Sequence, residues 1–167
     1  VGFISINLTA RHFRVSDLDR ELFAILDRNG VMPSRIRIEV TERALLENPA
    51  QVKQILDGLR KRGISVALDD FGTGYSSLSY LHQYPLQALK IVRSFVAEMR
   101  PYDDGSSSAV VRAILAMAGS LGMQVIAEGI ETESQQEALE ALGCEFGQGF
   151  LFGRPQPAEH WLGLAGC

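Results

Sequence analysis

Two rhythms alternate along the chain: short runs with apolar residues at every second position, and longer stretches with apolar residues three and four apart. The short runs predict strands at Phe3–Leu8, Arg35–Thr41, Ile64–Asp70, Ala88–Val92, Gln124–Ala127 and Glu145–Gln148. Between them, Leu18, Leu22, Phe23 and Leu26 keep helical spacing behind a capping box of Ser16 and Asp19, with Gly30 as a stop, so a helix is expected over Asp17–Asn29. Val52, Ile55, Leu56 and Leu59 repeat the pattern, entered through Asn48 and Pro49 and closed by Gly63. A third stripe runs from Val110 to Leu121 and ends at Gly122. A fourth follows a capping box of Thr132 and Gln135, with Ala138, Leu139 and Leu142 inward and Gly143 at its end. Strands alternating with helices predict βα units around a parallel sheet.

Polar residues hold a repeated place in this pattern, at the strand ends: Asn7, Glu39, Asp69, Lys90, Glu128 and Gln148. The first and last are 141 residues apart over five steps, about 28 residues per step against roughly 31 for the units of an eight-fold barrel. The expected fold is therefore α/β, a TIM-like (β/α)8 barrel. No glycine-rich phosphate loop follows the first strand, which argues against a dinucleotide-binding open sheet. Strand residues two apart share a face. With Ile36, Ile38 and Val40 toward the helices, Glu39 faces the barrel, and the same parity puts Asn7, Asp69, Lys90 and Glu128 on that side. Barrel enzymes build their sites at this C-terminal mouth.

The length of 167 residues, 46% of them hydrophobic, fits one ordinary domain with a substantial core. Net charge is −4, and the longest basic run, Arg60-Lys61-Arg62, lies on a helix tail. A nucleic-acid polymer is not the expected partner. No apolar run approaches the roughly 18 residues that span a bilayer, and the first residues are not a basic-then-apolar leader. The segment is expected to be cytoplasmic and to make no membrane contact, with any anchor in other domains of a longer protein. Cys144 and Cys167 have no metal-ligand spacing, and Cys144 is expected to be a buried thiol.

Asn7, Glu39, Asp69, Asp70 and Glu128 offer only hard oxygen ligands, a set suited to Mg²⁺ or Mn²⁺ and not to zinc. Asp69 and Asp70 are adjacent, so a carboxylate at the strand end and one at the loop start could flank two ions about 3.5–4 Å apart. Paired ions lower the pKa of a bound water and hold attacking and leaving oxygens in line during phosphodiester hydrolysis. Lys90 supplies positive charge beside water or phosphate, or forms an internal ion pair with a neighbouring carboxylate.

The run Asp69-Asp70-Phe71-Gly72-Thr73-Gly74-Tyr75-Ser76-Ser77-Leu78 closely resembles the hallmark loop of the EAL family of cyclic-di-GMP phosphodiesterases. The resemblance continues through Ile6-Asn7-Leu8, Glu39-Val40-Thr41-Glu42, Leu89-Lys90-Ile91, the stretch from Val125 to Thr132 and that from Gly147 to Phe152, and covers essentially the whole chain. It implies a metal-dependent signal-transduction enzyme that cleaves cyclic-di-GMP to linear pGpG. Asn7, Glu39 and Asp69 match ligands of a first metal; Asp69, Asp70 and Glu128 match the surroundings of a second. Lys90, Glu128 and Asp70 match the catalytic groups, the lysine being the one that positions or activates water. Glu131 and Gln148 match residues of site architecture and nucleotide binding. Glu42 matches the anchor of the loop after Asp70, through which the family links dimerisation to metal binding, so a homodimer is implied.

Two departures accompany the resemblance. The Glu-Ala-Leu signature belongs upstream of Val1, together with the first two strands of the barrel, so the chain is expected to hold strands three to eight of an N-terminally incomplete EAL domain. Val92 stands where the family usually has Asp, two residues after the lysine. Besides the active phosphodiesterase, these departures leave a silent cyclic-di-GMP receptor and a dimerisation or scaffold module that binds no nucleotide.

Overall fold

The computed structural model describes residues 2–15, 17–72, 78–101 and 105–160. Six parallel strands form one sheet in sequential order: β1 (Ile4–Leu8), β2 (Ile36–Thr41), β3 (Ser65–Phe71), β4 (Ala88–Ile91), β5 (Gln124–Glu128) and β6 (Phe146–Gln148). All six expected strands are present, with ends displaced by a residue or so. The described helices are α1 (Leu18–Arg28), α2 (Glu42–Glu47), α3 (Pro49–Lys61), α4 (Arg93–Ala97), α5 (Ser106–Ser120) and α6 (Glu133–Ala141). Four of them match expected helices. The capping box expected through Ser16 lies outside the described residues, and Asp17 takes the N-cap of α1 without a side-chain bond to it. The box of Thr132 and Gln135 forms on α6 as expected.

Burial separates the two faces of the sheet. Ile38, Val40, Val66, Leu68, Leu89 and Ile91 are fully buried on the side that packs against the helices, with Val52, Leu56 and Leu59 of α3 opposite them. On β1 the expected parity is only partly realised, because β1 is an edge: Leu8 is buried while Ile4 is 68% exposed. Cys144 is a buried thiol, as expected, and Cys167 lies outside the described residues.

The other face is concave. Arg37 of β2 donates to Gln124 Oε1 of β5 at 3.3 Å, across two intervening strands. On a flat sheet those strands would stand about 14 Å apart, a gap that the curl of the sheet closes. Small residues Ala67 and Ala88 line this face with Ile126. They leave room above them for the longer polar side chains. The sheet is thus a half-barrel, with β1 and β6 as its edges and an open hollow of about 610 Å³ between them that reaches Phe3, Arg37, Glu39, Phe146 and Gln148.

Candidate active site

The polar strand-end residues meet at the C-terminal rim of the concave face. Lys90 Nζ lies 2.6 Å from Glu39 Oε2, 2.5 Å from Glu128 Oε1 and 3.4 Å from Asp69 Oδ1. Lys90 and Glu39 are almost wholly buried. Burial alone would lower the lysine, but hydrogen bonds to Glu128 and Glu39 and the charges of Glu128 and Asp69 outweigh it and hold the ammonium above the ordinary lysine range. Burial pushes the Glu128 carboxyl up; Lys90 opposes this without cancelling it, and Asp69 and Glu39 add to the rise. One ammonium is shared among three carboxylates, so the site keeps excess negative charge.

A break in regular strand geometry brings in the fourth carboxylate. The register of β3 against β4 shifts between Leu68 and Phe71, and Asp70 has φ +56°, a left-handed conformation that Asp tolerates better than most side chains. Its N–H donates to Asp69 Oδ1 at 3.0 Å. Asp70 therefore lies within the bulged end of β3, inside the strand expected over Ile64–Asp70, and the loop start expected at Asp70 falls beyond Phe71. Beyond it, Gly72 has φ +98°, and a Cβ there would lie 2.7 Å from Phe95. Glu42, the first residue of α2, accepts the Gly72 N–H at 3.2 Å and tethers the chain at this turn. Asp69, Asp70 and Glu128 consequently offer carboxylate oxygens that all lie within 4.8 Å of one another. Glu39 is not in that triad; its near oxygen is held by Lys90.

The remaining expected residues surround this point. Asn7 sits opposite Glu39 in the β1–β2 register, and Gln148 opposite Glu128 in the β5–β6 register, both exposed on the edge strands. Glu131 lies past the end of β5, with its N–H donating to Gln135 Oε1 at 2.8 Å and its carboxylate 2.7 Å from Arg93 Nη2. The expected strand through Val92 stops at Ile91. Val92 instead caps α4 at its N-terminus, half-buried and without a side-chain cap bond, because the chain turns there into the helix. Arg93 has no place in the period-two pattern, and the only sequence signal for it is Gly129, whose lack of a side chain makes its room.

A curled parallel sheet with helices on its convex side and a carboxylate–lysine cluster at its C-terminal rim defines a barrel-type α/β protein with a hard-oxygen site. The chain belongs to the EAL domain family, whose model matches residues 1–155. It is 43% identical over 159 residues to the bifunctional diguanylate cyclase/cyclic di-GMP phosphodiesterase MucR of Pseudomonas aeruginosa, covering 95% of this chain and 23% of that protein. It is 39% identical over 145 residues to the cyclic di-GMP phosphodiesterase RocR of the same organism, covering 87% of this chain and 36% of RocR. Among solved structures, the PaMucR phosphodiesterase in complex with c-di-GMP superposes with a TM-score of 0.88 at 42% identity, over 95% of this chain and 70% of that one. The Klebsiella pneumoniae BlrP1 manganese/cy-diGMP complex gives 0.83 at 33% identity, over 92% and 39%. The chain spans about a fifth of the length of the first curated relatives it matches. No helix among the described residues is long and apolar enough to cross a membrane.

Proposed function

We propose that this chain is the larger, C-terminal part of an EAL domain that hydrolyses cyclic-di-GMP to linear pGpG with two Mg²⁺ or Mn²⁺ ions, within a longer signalling protein. The observation that carries this reading is the convergence of Asp69, Asp70 and Glu128 beside a buried lysine that three carboxylates hold. A donor set of carboxylates alone fits hard divalent cations. Asn7, Glu39, Asp69, Asp70 and Glu128 would hold the ions, which when bound polarise the phosphodiester and activate the attacking water. Lys90 orients Glu39, Asp69 and Glu128, and its fixed charge offsets negative charge that develops on the phosphate. Glu42 holds the turn that presents Asp70, and Gln148 and Glu131 face the nucleotide. Two upstream strands carrying the family's glutamate would close the barrel, and the homodimer contact expected through the loop after Asp70 falls on residues 73–77, which lie outside the described residues.

Protein extended upstream of Val1 is expected to turn over cyclic-di-GMP in Mg²⁺ or Mn²⁺ and to stop in EDTA or Ca²⁺, as read by chromatography of pGpG. Calcium takes six to eight looser ligands and opens the geometry that in-line attack needs. Equal turnover in Ca²⁺ and Mg²⁺ would contradict the two-metal reading.

Val92 favours a second reading, a receptor that binds the nucleotide without cleaving it. Its position at the start of α4 leaves that helix without a side-chain cap. Val92→Asp is expected to raise kcat several-fold with little change in Kd, and to add about 1 kcal/mol of stability as an N-cap. Turnover in both forms with no gain makes Val92 neutral. Binding by both with hydrolysis by neither selects the receptor.

A further inference from the structure

Charge at the rim of the site is one-sided. Glu39, Asp69 and Glu128 engage the buried ammonium of Lys90, with Asp70 and Glu131 adding further negative charge nearby. The other buried cation of this face, Arg37, is bonded to Ser65 and Gln124 at the start of β3 and β5. A phosphodiester approaching this rim carries negative charge of its own. Arg93 is the cation placed to receive it. It follows β4 directly and ion-pairs with Glu131 at 2.7 Å, yet its side chain remains 62% exposed. Its aliphatic stem lies across Gly129, the residue after Glu128: a Cβ at 129 would come within 2.3 Å of Arg93 Cγ, and Gly129 has φ +71°. The backbone at the end of β5 is therefore shaped around this arginine.

A guanidinium has five N–H donors in a planar fork, and one carboxylate does not exhaust them. Glu131 limits the rotamers of Arg93, so less freedom is lost when an anion arrives. We propose that Arg93 is a substrate-positioning residue that receives a phosphate or an adjoining oxygen of the cyclic dinucleotide, with Glu131 as its orienter. This rests on the phosphodiesterase reading above. Its contribution is to ground-state binding, since Arg93 stands at the rim while Lys90 and the carboxylate triad stand at the reacting centre.

The test uses the metal-loaded, upstream-extended protein with Arg93→Ala, Arg93→Lys and Glu131→Gln. Cyclic-di-GMP hydrolysis is followed in Mn²⁺, and binding of a fluorescent cyclic-di-GMP is followed by anisotropy in Ca²⁺. Arg93→Ala is expected to raise KM and Kd about ten-fold or more with kcat within about three-fold, the signature of lost uniform binding. Arg93→Lys should recover part of the loss, because charge returns without the fork, and Glu131→Gln should weaken binding less than Arg93→Ala. A merely structural role would lower melting temperature and kcat with KM unmoved, and that result overturns the proposal. Unchanged KM and Kd in Arg93→Ala, with the wild type binding and cleaving, also overturns it while leaving the phosphodiesterase reading intact. A wild type that neither binds nor cleaves cyclic-di-GMP overturns both.

Discussion

Asp69→Asn is expected to slow hydrolysis of cyclic-di-GMP by about 10²–10⁴-fold, the range that a loss of several kcal/mol of metal electrostatics corresponds to. The substitution keeps the shape of the side chain and the oxygen that accepts the Asp70 N–H, so the bulge at the end of β3 is retained. What it removes is charge at one of the two positions, Asp69 and Glu128, that belong both to the carboxylate triad and to the contacts of Lys90. Metal titration by calorimetry should show weakened binding in parallel, while circular dichroism stays that of the wild type. Full activity in Asp69→Asn would remove the triad as the seat of catalysis.

Lys90→Met should be the most destabilising single change at the site, by about 3–5 kcal/mol at neutral pH in metal-free protein, because it leaves buried Glu39 and half-buried Asp69 and Glu128 without their counter-charge. The pH dependence distinguishes this from a packing defect. In the wild type the folded-state lysine lies above its unfolded value, so its contribution is complete below the ordinary lysine range and fades only at strongly alkaline pH. Without the ammonium, Glu128, already raised by burial in the wild type, rises further, because Lys90 no longer opposes burial and the charges of Asp69 and Glu39. A carboxyl raised in this way favours the fold at low pH and loses that advantage as pH climbs through the folded value. The deficit of Lys90→Met should therefore grow between about pH 5 and about pH 8 in urea unfolding with EDTA. Divalent cations should restore part of it. A deficit independent of pH would mean that lost packing, and not charge, is responsible.

Much of this site could be read from alternation alone. The parity that placed Glu39, Lys90 and Glu128 on one face holds because their neighbours Ile38, Val40, Leu89, Ile91, Val125 and Ala127 are buried on the other. Parity failed where the backbone leaves the regular strand. Asp70 falls inside the expected strand Ile64–Asp70, but its direction does not follow from alternation, because a period-two pattern assumes ideal pairing and carries no mark of a bulge or of a left-handed aspartate. The short helices α2 and α4, of six and five residues, span too little chain to show a helical stripe. Arg93 escaped for a different reason: its partner Glu131 is 38 residues further on, and its seat is the absence of a side chain at Gly129. The half-barrel itself follows from tertiary contacts such as Arg37 with Gln124, which join residues 87 apart in sequence.

The irregular end of β3 has a consequence for how this domain can diverge. In an unbroken strand Asp69 and Asp70 would point to opposite faces, and one would enter the apolar layer between sheet and helices. Here the extra residue lets two successive side chains serve the same point in space. Substitution elsewhere in β3 leaves that arrangement alone, whereas inserting or deleting a single residue between Ser65 and Asp70 exchanges the faces of everything on one side of the change. Outside the two aspartates the segment can thus drift in composition but not in length, and among descendants of this domain a gap in that stretch marks the loss of its chemistry more surely than a point change at its other positions.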